Sequence, residues 1–557
     1  MKSVRSKAVS IFILSLLGFP CIQTSHAAAP LSCSVTAEPR QGQAVLPVHC
    51  SLELQGGTPP FTYSWDFDAA DGIQIDKYHA DPYFVYGYAG DYVITATVTD
   101  RFGESATDTV HVKVLPGSFI KSQPLELNSI HGSKDNPYIV EGLEISNPSG
   151  GGIRMEFCSH IIIRNCWFHH VTHPDSLNEG MNDAVLIAKS SDILIENCLF
   201  TNNCRGILAD AWDDYEYNYN ITVRNCVVKH TSLDHGIHVK HSDGVKIYNN
   251  VLYNNGVDEF FQHHRISGIA CWASHNIDVH DNLVVGSSSD GICIGADNML
   301  IGGEDPDFVT ENFEIYRNTC RENGEMGIWF SVGRNGDVYE NYAADSNLCG
   351  INFEYKISDS KIHHNFLRNN QICGININQS FNNKIYENRI TEPLSGWGAI
   401  WVDSQKQLKI HHEYPVRTNH NIIRNNIAYN SRHGIIVSDG DSTYILNNTI
   451  HACGPHHRND QAGITIDSLA GYSVIKNNII SDNEGYGIVC YNDQKKISYN
   501  DLWNNSSGHY YKMDSGTGDL HADPVFENIS THNYFLSATS PCIDAGDPSD
   551  SFENEPP

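Results

Sequence analysis

One eight-residue pattern recurs thirteen times between positions 161 and 502. IIIRNCWF, ILIENCLF and ITVRNCVV open the series. VKIYNNVL, IDVHDNLV, FEIYRNTC, GDVYENYA, SKIHHNFL, NKIYENRI, NIIRNNIA, TYILNNTI, SVIKNNII and KKISYNDL follow. The shortest spacing is about 22–24 residues, the range of solenoid repeats, and longer spacings carry insertions. Between copies stands a second apolar signal, Gly-Ile, from Gly206-Ile207 through Gly236-Ile237 and Gly291-Ile292 to Gly487-Ile488.

A unit of this size cannot bury its apolar side alone, so it must stack on its neighbours. Strand, turn, strand, turn at this period predicts one coil of a right-handed parallel β-helix of about thirteen coils. The aligned column Cys166, Cys198, Cys226, then Asn250, Asn282, Asn318, Asn341, Asn365, Asn388, Asn426, Asn448, Asn478 and Asn500 is then scaffold. Asn tolerates a left-handed turn, and its amide reaches the equivalent amide one coil away, ~4.8 Å along the stack. The three cysteines read as small buried thiols in the same column.

Lys and Arg number 36 against 66 Asp and Glu, a formal charge of −30, which argues against nucleic acid as partner and repels any polyanion unless local bases or a cation offset it. The opening residues read as a secretory signal over 1–27. MKSVRSK is the basic part, AVSIFILSLLGF the apolar part, and Ser25-His26-Ala27 the small-residue site. That apolar run is short of the ~20 residues a membrane span needs, and no later segment approaches it. Gly18-Phe19-Pro20 is a poor lipid-attachment context for Cys21. Export to the periplasm, cell surface or medium is therefore expected, and it permits disulfides. Thirteen cysteines follow Cys50, an odd number, so at least one of these thiols has no intrachain partner among the others.

Residues 31–115 alternate apolar and polar, as in GDYVITATVTD and TDTVHVKV, the mark of a small antiparallel sandwich. FTYSWDFD followed by YAGDYVITATVTDRFG resembles the PKD domain, an immunoglobulin-like module, although Ala69-Ala70 interrupt its first motif. Cys33 and Cys50 fall on neighbouring first strands, so a bridge between them is expected. Leu115-Pro116-Gly117-Ser118 reads as a short linker, 120–547 as the β-helix and 548–557 as a tail. The ending HADPVFENISTHNYFLSATSPCIDAGDP resembles the terminal segment of secreted proteins of the pectate-lyase-like superfamily. That resemblance implies the fold and a set of activities: polysaccharide lyases, glycoside hydrolases, uronan epimerases and non-catalytic surface proteins.

If Ile237 and Val239 face inward, His235, His238 and Lys240 face outward. The same alternation predicts an outward strip of Asp183, Arg205, Asp210, Trp272, Asp290, Trp329, Asn352, Glu354, Trp401 and Asp403. A row of tryptophans on it offers apolar faces on which sugar rings stack, unless inserted loops cover them. Elimination from a uronate needs a base for the C5 proton, a cation for the carboxylate and an acid for the leaving oxygen. By the superfamily's habits Lys240 is the candidate base, with His235, His238 and Arg265 beside it. Arg205, Trp272, Trp329, Glu354, Trp401 and Asp403 are the candidate substrate contacts. Asp210, Asp213 and Asp214, with Glu216 near, are candidate Ca²⁺ ligands, because hard cations take several carboxylate oxygens. A hydrolase instead needs two carboxylates ~5–9.5 Å apart, which Asp210 with Asp213 or Asp214 can supply. A third reading is a surface protein whose sandwich and stack are spacer and adhesive face.

Overall fold

The computed structural model describes residues 29–69, 75–172, 182–211, 216–256, 266–295, 309–392, 396–404, 417–454, 462–472 and onward to 550. The signal segment, Arg265, Asp213, Asp214 and the end of the tail lie outside the described residues.

The repeats wind as predicted into a right-handed parallel β-helix, with the described ladders of the coils parallel and each strand paired to its counterpart one coil on; only the hairpin Phe526–Asn528 with Asn533–Leu536 after the last coil is antiparallel among the described ladders there. Each coil holds three strands where the pattern suggested two. In the coil that carries VKIYNNVL these are Ile237–Lys240, Ser242–Tyr248 and Val251–Tyr253. The eight-residue motif is bent in its middle, because the residue before each column Asn takes a left-handed conformation: Asn249 at φ 56°, Asp281 at 55°, Glu387 at 56°. The turn is therefore made one position earlier than expected.

That shift frees the column Asn for the interior. From Asn250 to Asn500 each side-chain Nδ2 donates to the next Oδ1 at 2.9–3.0 Å, and the next Oδ1 also accepts the backbone N–H. Cys226 N–H donates to Asn250 Oδ1 at 2.9 Å, so the thiols of Cys166, Cys198 and Cys226 continue the column as fully buried free cysteines. The core they border is Ile, Val, Leu and Phe, including Ile237 and Val239.

A second column, which the sequence alignment contained but alternation alone did not flag, runs up the outside. Tyr248, His280, Tyr316, Tyr339, His363 and Tyr386 are register partners and stack face to face at 4.6–5.2 Å. Arg224 and Arg424 cap the ends over the terminal rings.

The N-terminal sandwich has a three-stranded sheet (Ser32–Glu38, Leu46–Gln55, Tyr83–Tyr86) packed on a four-stranded one (Gln41–Gln43, Ser105–Leu115, Gly90–Thr99, Thr62–Asp66). Trp65, Phe67 and Ile94 fill the space between. The expected Cys33–Cys50 bridge is absent: Cys33 opposes Leu54 while Cys50 opposes Ala37. Four residues of offset separate them by about 13 Å, twice what a disulfide spans.

Nor is the sandwich a spacer on a linker. Its core runs on into Leu199, Val227, Val251, Leu283 and Val285, outward residues of the solenoid's 15-stranded sheet. Polar contacts seal the join around Asp281. Lys77, 1% exposed, donates from Nζ to the Asp281 carbonyl at 2.6 Å, and His79 Nε2 lies 3.1 Å from its carboxylate. From the solenoid side Arg317 and His280 meet the other carboxylate oxygen at 2.7 and 2.6 Å.

Candidate functional site

The outward strip exists. Asp183 and Arg205 are register partners, His238 sits between Leu208 and Ala270, and Lys240 pairs with Trp272. Three coils thus bring Arg205, Asp210, His235, His238, Lys240 and Trp272 together, within roughly 10–15 Å along the stack.

Outward does not mean exposed here. His235 and His238 are 2% and 5% exposed. Their rings meet edge to face at 4.4 Å, and both stand edge to face with Trp272 at 5.3 and 4.8 Å. Lys240 Nζ lies 5.3 Å above the Trp272 ring and 3.9 Å from Asp210. The other Asp210 oxygen faces His241 Nδ1 at 3.2 Å.

Asp234, which alternation could not place because it lies in the turn before the strand, is the hub. Its Oδ1 accepts the His235 N–H at 2.8 Å and lies 3.4 Å from His235 Nε2 and 3.9 Å from His238 Nδ1. Arg205 Nε donates to its Oδ2 at 2.7 Å. Burial works to raise the Asp234 carboxyl, but His235, His238 and Arg205 hold it far below the usual carboxylate range. The only sequence signal for it is the dipeptide Asp-His just ahead of Gly236-Ile237.

The two imidazoles differ. His235 Nδ1 accepts the Ser267 backbone N–H at 2.8 Å, which fixes the neutral tautomer with hydrogen on Nε2, aimed at Asp234. Burial and the neighbouring His238 push its pKa down to about 3, against the pull of Asp234. His238 Nδ1 lies on the Asp234 side, 3.9 Å from Oδ1, and Nε2 has no hydrogen-bond partner among the described residues. Burial, opposed by Asp234, lowers its pKa from 6.5. It is therefore a neutral base at pH 7, held in place by rings and by Asp234.

Asp234, His235 and His238 have ligand atoms within 4.8 Å of one another, the spacing of a metal site. The tautomer speaks against one: His235 Nε2 carries the proton, and Asp234 is taken by Arg205. Asp210 faces Lys240 and His241, and its expected Ca²⁺ partners Asp213 and Asp214 lie outside the described residues.

Other predicted contacts lie farther up. Cys293, Trp329, Asn352, Asn376 and Trp401 follow one another in register, so Trp329 is three coils from His238, about 14 Å, and Trp401 three more. Trp329, the middle of the expected open stacking line, is only 4% exposed and packs with Met326, Cys349 and Cys373, so that line is interrupted. Glu354 serves it, accepting the Trp329 Nε1–H at 2.6 Å. Trp272 and Trp401 are half-buried, and Trp401 donates to Ser438 Oγ at 2.9 Å. Asp403 follows Trp401 on the same strand and accepts the Ser404 N–H. The exposed ring is Trp397, stacked on Trp401 at 5.2 Å and missed because it lies before the strand.

Comparison with known proteins agrees with this architecture. The PKD domain matches residues 32–114 and the right handed beta helix region residues 127–284. A family described as periplasmic copper-binding protein (NosD) matches 261–414 and 414–524. The chain thus joins a segment that matches the PKD domain to a right-handed parallel β-helix. No curated protein matches it. Among solved structures, the A-module of a mannuronan C-5 epimerase from Azotobacter vinelandii aligns over 72% of this chain and 92% of its own at 12% identity and a TM-score of 0.39. A periplasmic alginate epimerase, as a double mutant, aligns over 74% and 87% at 14% and 0.38. A family 28 exopolygalacturonase from Yersinia enterocolitica aligns over 87% and 99% at 9% and 0.33. Likeness at this level is to the wound fold alone. No helix among the described residues is long and apolar enough to cross a membrane.

Proposed function

We propose that this is an exported carbohydrate-active protein that moves the C5 proton of a uronate in a polysaccharide, as a lyase or an epimerase. The observation that carries the reading is His238: a buried imidazole whose pKa burial lowers, with Asp234 on one side and the Lys240 charge near. Lys240, the base expected from the sequence, lies over the Trp272 ring with Asp210 3.9 Å away. The roles therefore divide. His238 takes the proton, Asp234 orients it and stabilises the imidazolium formed, and Lys240 with Arg205 offsets the charge that builds on the sugar carboxylate. Loss of the C4 oxygen, which takes the proton held by the His238 imidazolium, then gives a lyase product, and delivery of a solvent proton to the opposite face of C5, with His238 releasing its own to solvent, gives an epimer. The half-buried ring of Trp272 supplies the apolar wall. Calcium enters this scheme only as a variable to be tested.

The test is incubation with pectate and alginate in D₂O, with calcium and with chelator. Deuterium at C5 or the ultraviolet band of an unsaturated sugar end is expected from the native chain and is lost in His238→Gln. If neither signal forms on any uronan, or if His238→Gln retains it, the reading is wrong. Reducing ends without either signal on neutral glycans as well would mean a hydrolase.

A further inference from the structure

A cleft of about 470 Å³ opens where the PKD sandwich meets the solenoid, well away from His238 in the fold. The sandwich supplies Tyr63 and Tyr78, and the solenoid supplies Phe366, Arg368, Arg389 and Tyr429, with His532 closing one end. Both components are needed to form it, and their join is the buried Asp281 contact already described. Its walls are rings: Tyr78 stacks on Tyr342 at 5.3 Å, and His532 lies 4.6 Å from Tyr429. Arg389 lies over Phe366 and Tyr429, both 5.5 Å away, and Nε donates to the Tyr429 hydroxyl at 3.3 Å.

Among the described residues neither guanidinium is paired with a carboxylate. Among the described residues, Arg389 contacts rings and a hydroxyl, and Arg368 is exposed with no ion pair. In a chain of formal charge −30 that is an uncommon use of two arginines. At His532 burial comes first in lowering the pKa, and the charges of Arg389, His451 and Arg368 then all lower it further. A cationic pocket with aromatic walls and threonine hydroxyls of Thr62, Thr97 and Thr391 offers what a carboxylated sugar presents, an anion on a ring with one apolar face.

We infer that this junction cleft is a second saccharide-binding site, specific for a carboxylated sugar residue. It gives the sandwich a function, as one wall of a binding site, and it places a local positive charge where an acidic protein can hold an acidic polymer without a cation. The inference stands whether or not His238 is catalytic.

The experiment is calorimetric titration of the full chain at low salt with trigalacturonate, maltotriose and sodium sulfate, each in the native chain and in His238→Gln, so that turnover drops out and the arginine variants report on the junction cleft. Trigalacturonate is expected to bind both proteins alike, more tightly than either control. Arg368→Gln, an exposed change that leaves the fold intact, is expected to weaken it several-fold, and Arg368→Gln with Arg389→Gln about tenfold or more. Arg389→Lys, which keeps the charge but not the planar fork, is expected to fall between. Equal binding of maltotriose or of sulfate, no binding of trigalacturonate, or unchanged affinity in Arg368→Gln would each overturn the site.

Discussion

Asp281→Asn is the sharpest perturbation this structure offers, because it keeps shape and removes the one charge on which the two domains converge. In the native protein burial pushes Lys77 down from 10.5 to about 8, with Asp281 and Asp76 pulling the other way. The unfolded chain therefore holds a proton that the native one has lost between pH 8 and 10.5, and stability rises with pH across that interval. Without the aspartate the native pKa falls further. Once it lies well below 7 the amine sheds its proton, which caps its share of the damage at pH 7 at about 1.4 kcal/mol. Arg317, His79 and His280 lose a carboxylate acceptor and keep an amide oxygen that serves one of them, for about 1–2 kcal/mol more. The sum is about 3 kcal/mol, near the range for breaking a buried pair. Hydrogen exchange read by mass spectrometry over Tyr83–Tyr86 and Val227–Lys229, the two faces of the join, should quicken about a hundredfold at pH 7. The gap between variant and native protein should narrow by about 1.4 kcal/mol as pH passes through 8, where the native Lys77 also becomes neutral. Arg101→Ala, which breaks the surface pair with Glu527 at the same join, should cost no more than about 1 kcal/mol. An Asp281→Asn effect below about 1 kcal/mol, or one that does not change between pH 7 and 9, would show that Lys77 is not held by this carboxylate.

Three further outcomes follow from the same structure. Asn388→Ala deletes amide donations to Asn426 Oδ1 and the Ile362 carbonyl and orphans the Asn365 donors, all buried; a loss of about 2–4 kcal/mol is expected in urea unfolding, against about 1 kcal/mol for the exposed Asn382→Ala, which loses only a surface bond to Asp359 and a left-handed asparagine. A Cβ at Gly336 would lie 1.9 Å from the Phe313 ring, so Gly336→Ala should cost about 1–3 kcal/mol, and Phe313→Leu in the same chain should recover part of it, as thermal melting would record. If His238 is the base, kcat/KM on a responsive uronan should fall only as pH drops below 6.5, since burial lowers its pKa and the neutral form is the active one; a limb above that value would assign the base elsewhere.

The sequence by itself determined the winding. A period of about two dozen residues with an apolar strand pair and a recurring asparagine has one economical solution, because each coil must bury its face on the next. It also determined which residues of the Gly-Ile strands point out, since side-chain direction in a strand alternates with position, and Arg205, His235, His238, Lys240 and Trp272 are together for that reason. What lay outside the reach of a period-two rule was anything made in a turn or between distant segments. Asp234 and Trp397 sit before their strands, and the left-handed residue falls at Asn249 rather than Asn250. Cys33 and Cys50 needed a register that neighbouring strands do not disclose. Trp329 faces outward yet is covered, because burial depends on what packs above a strand as well as on its own alternation. Only the tertiary structure could dock the sandwich on the solenoid: Lys77 and Asp281 are 204 residues apart, and a contact between surfaces leaves no periodic trace in either.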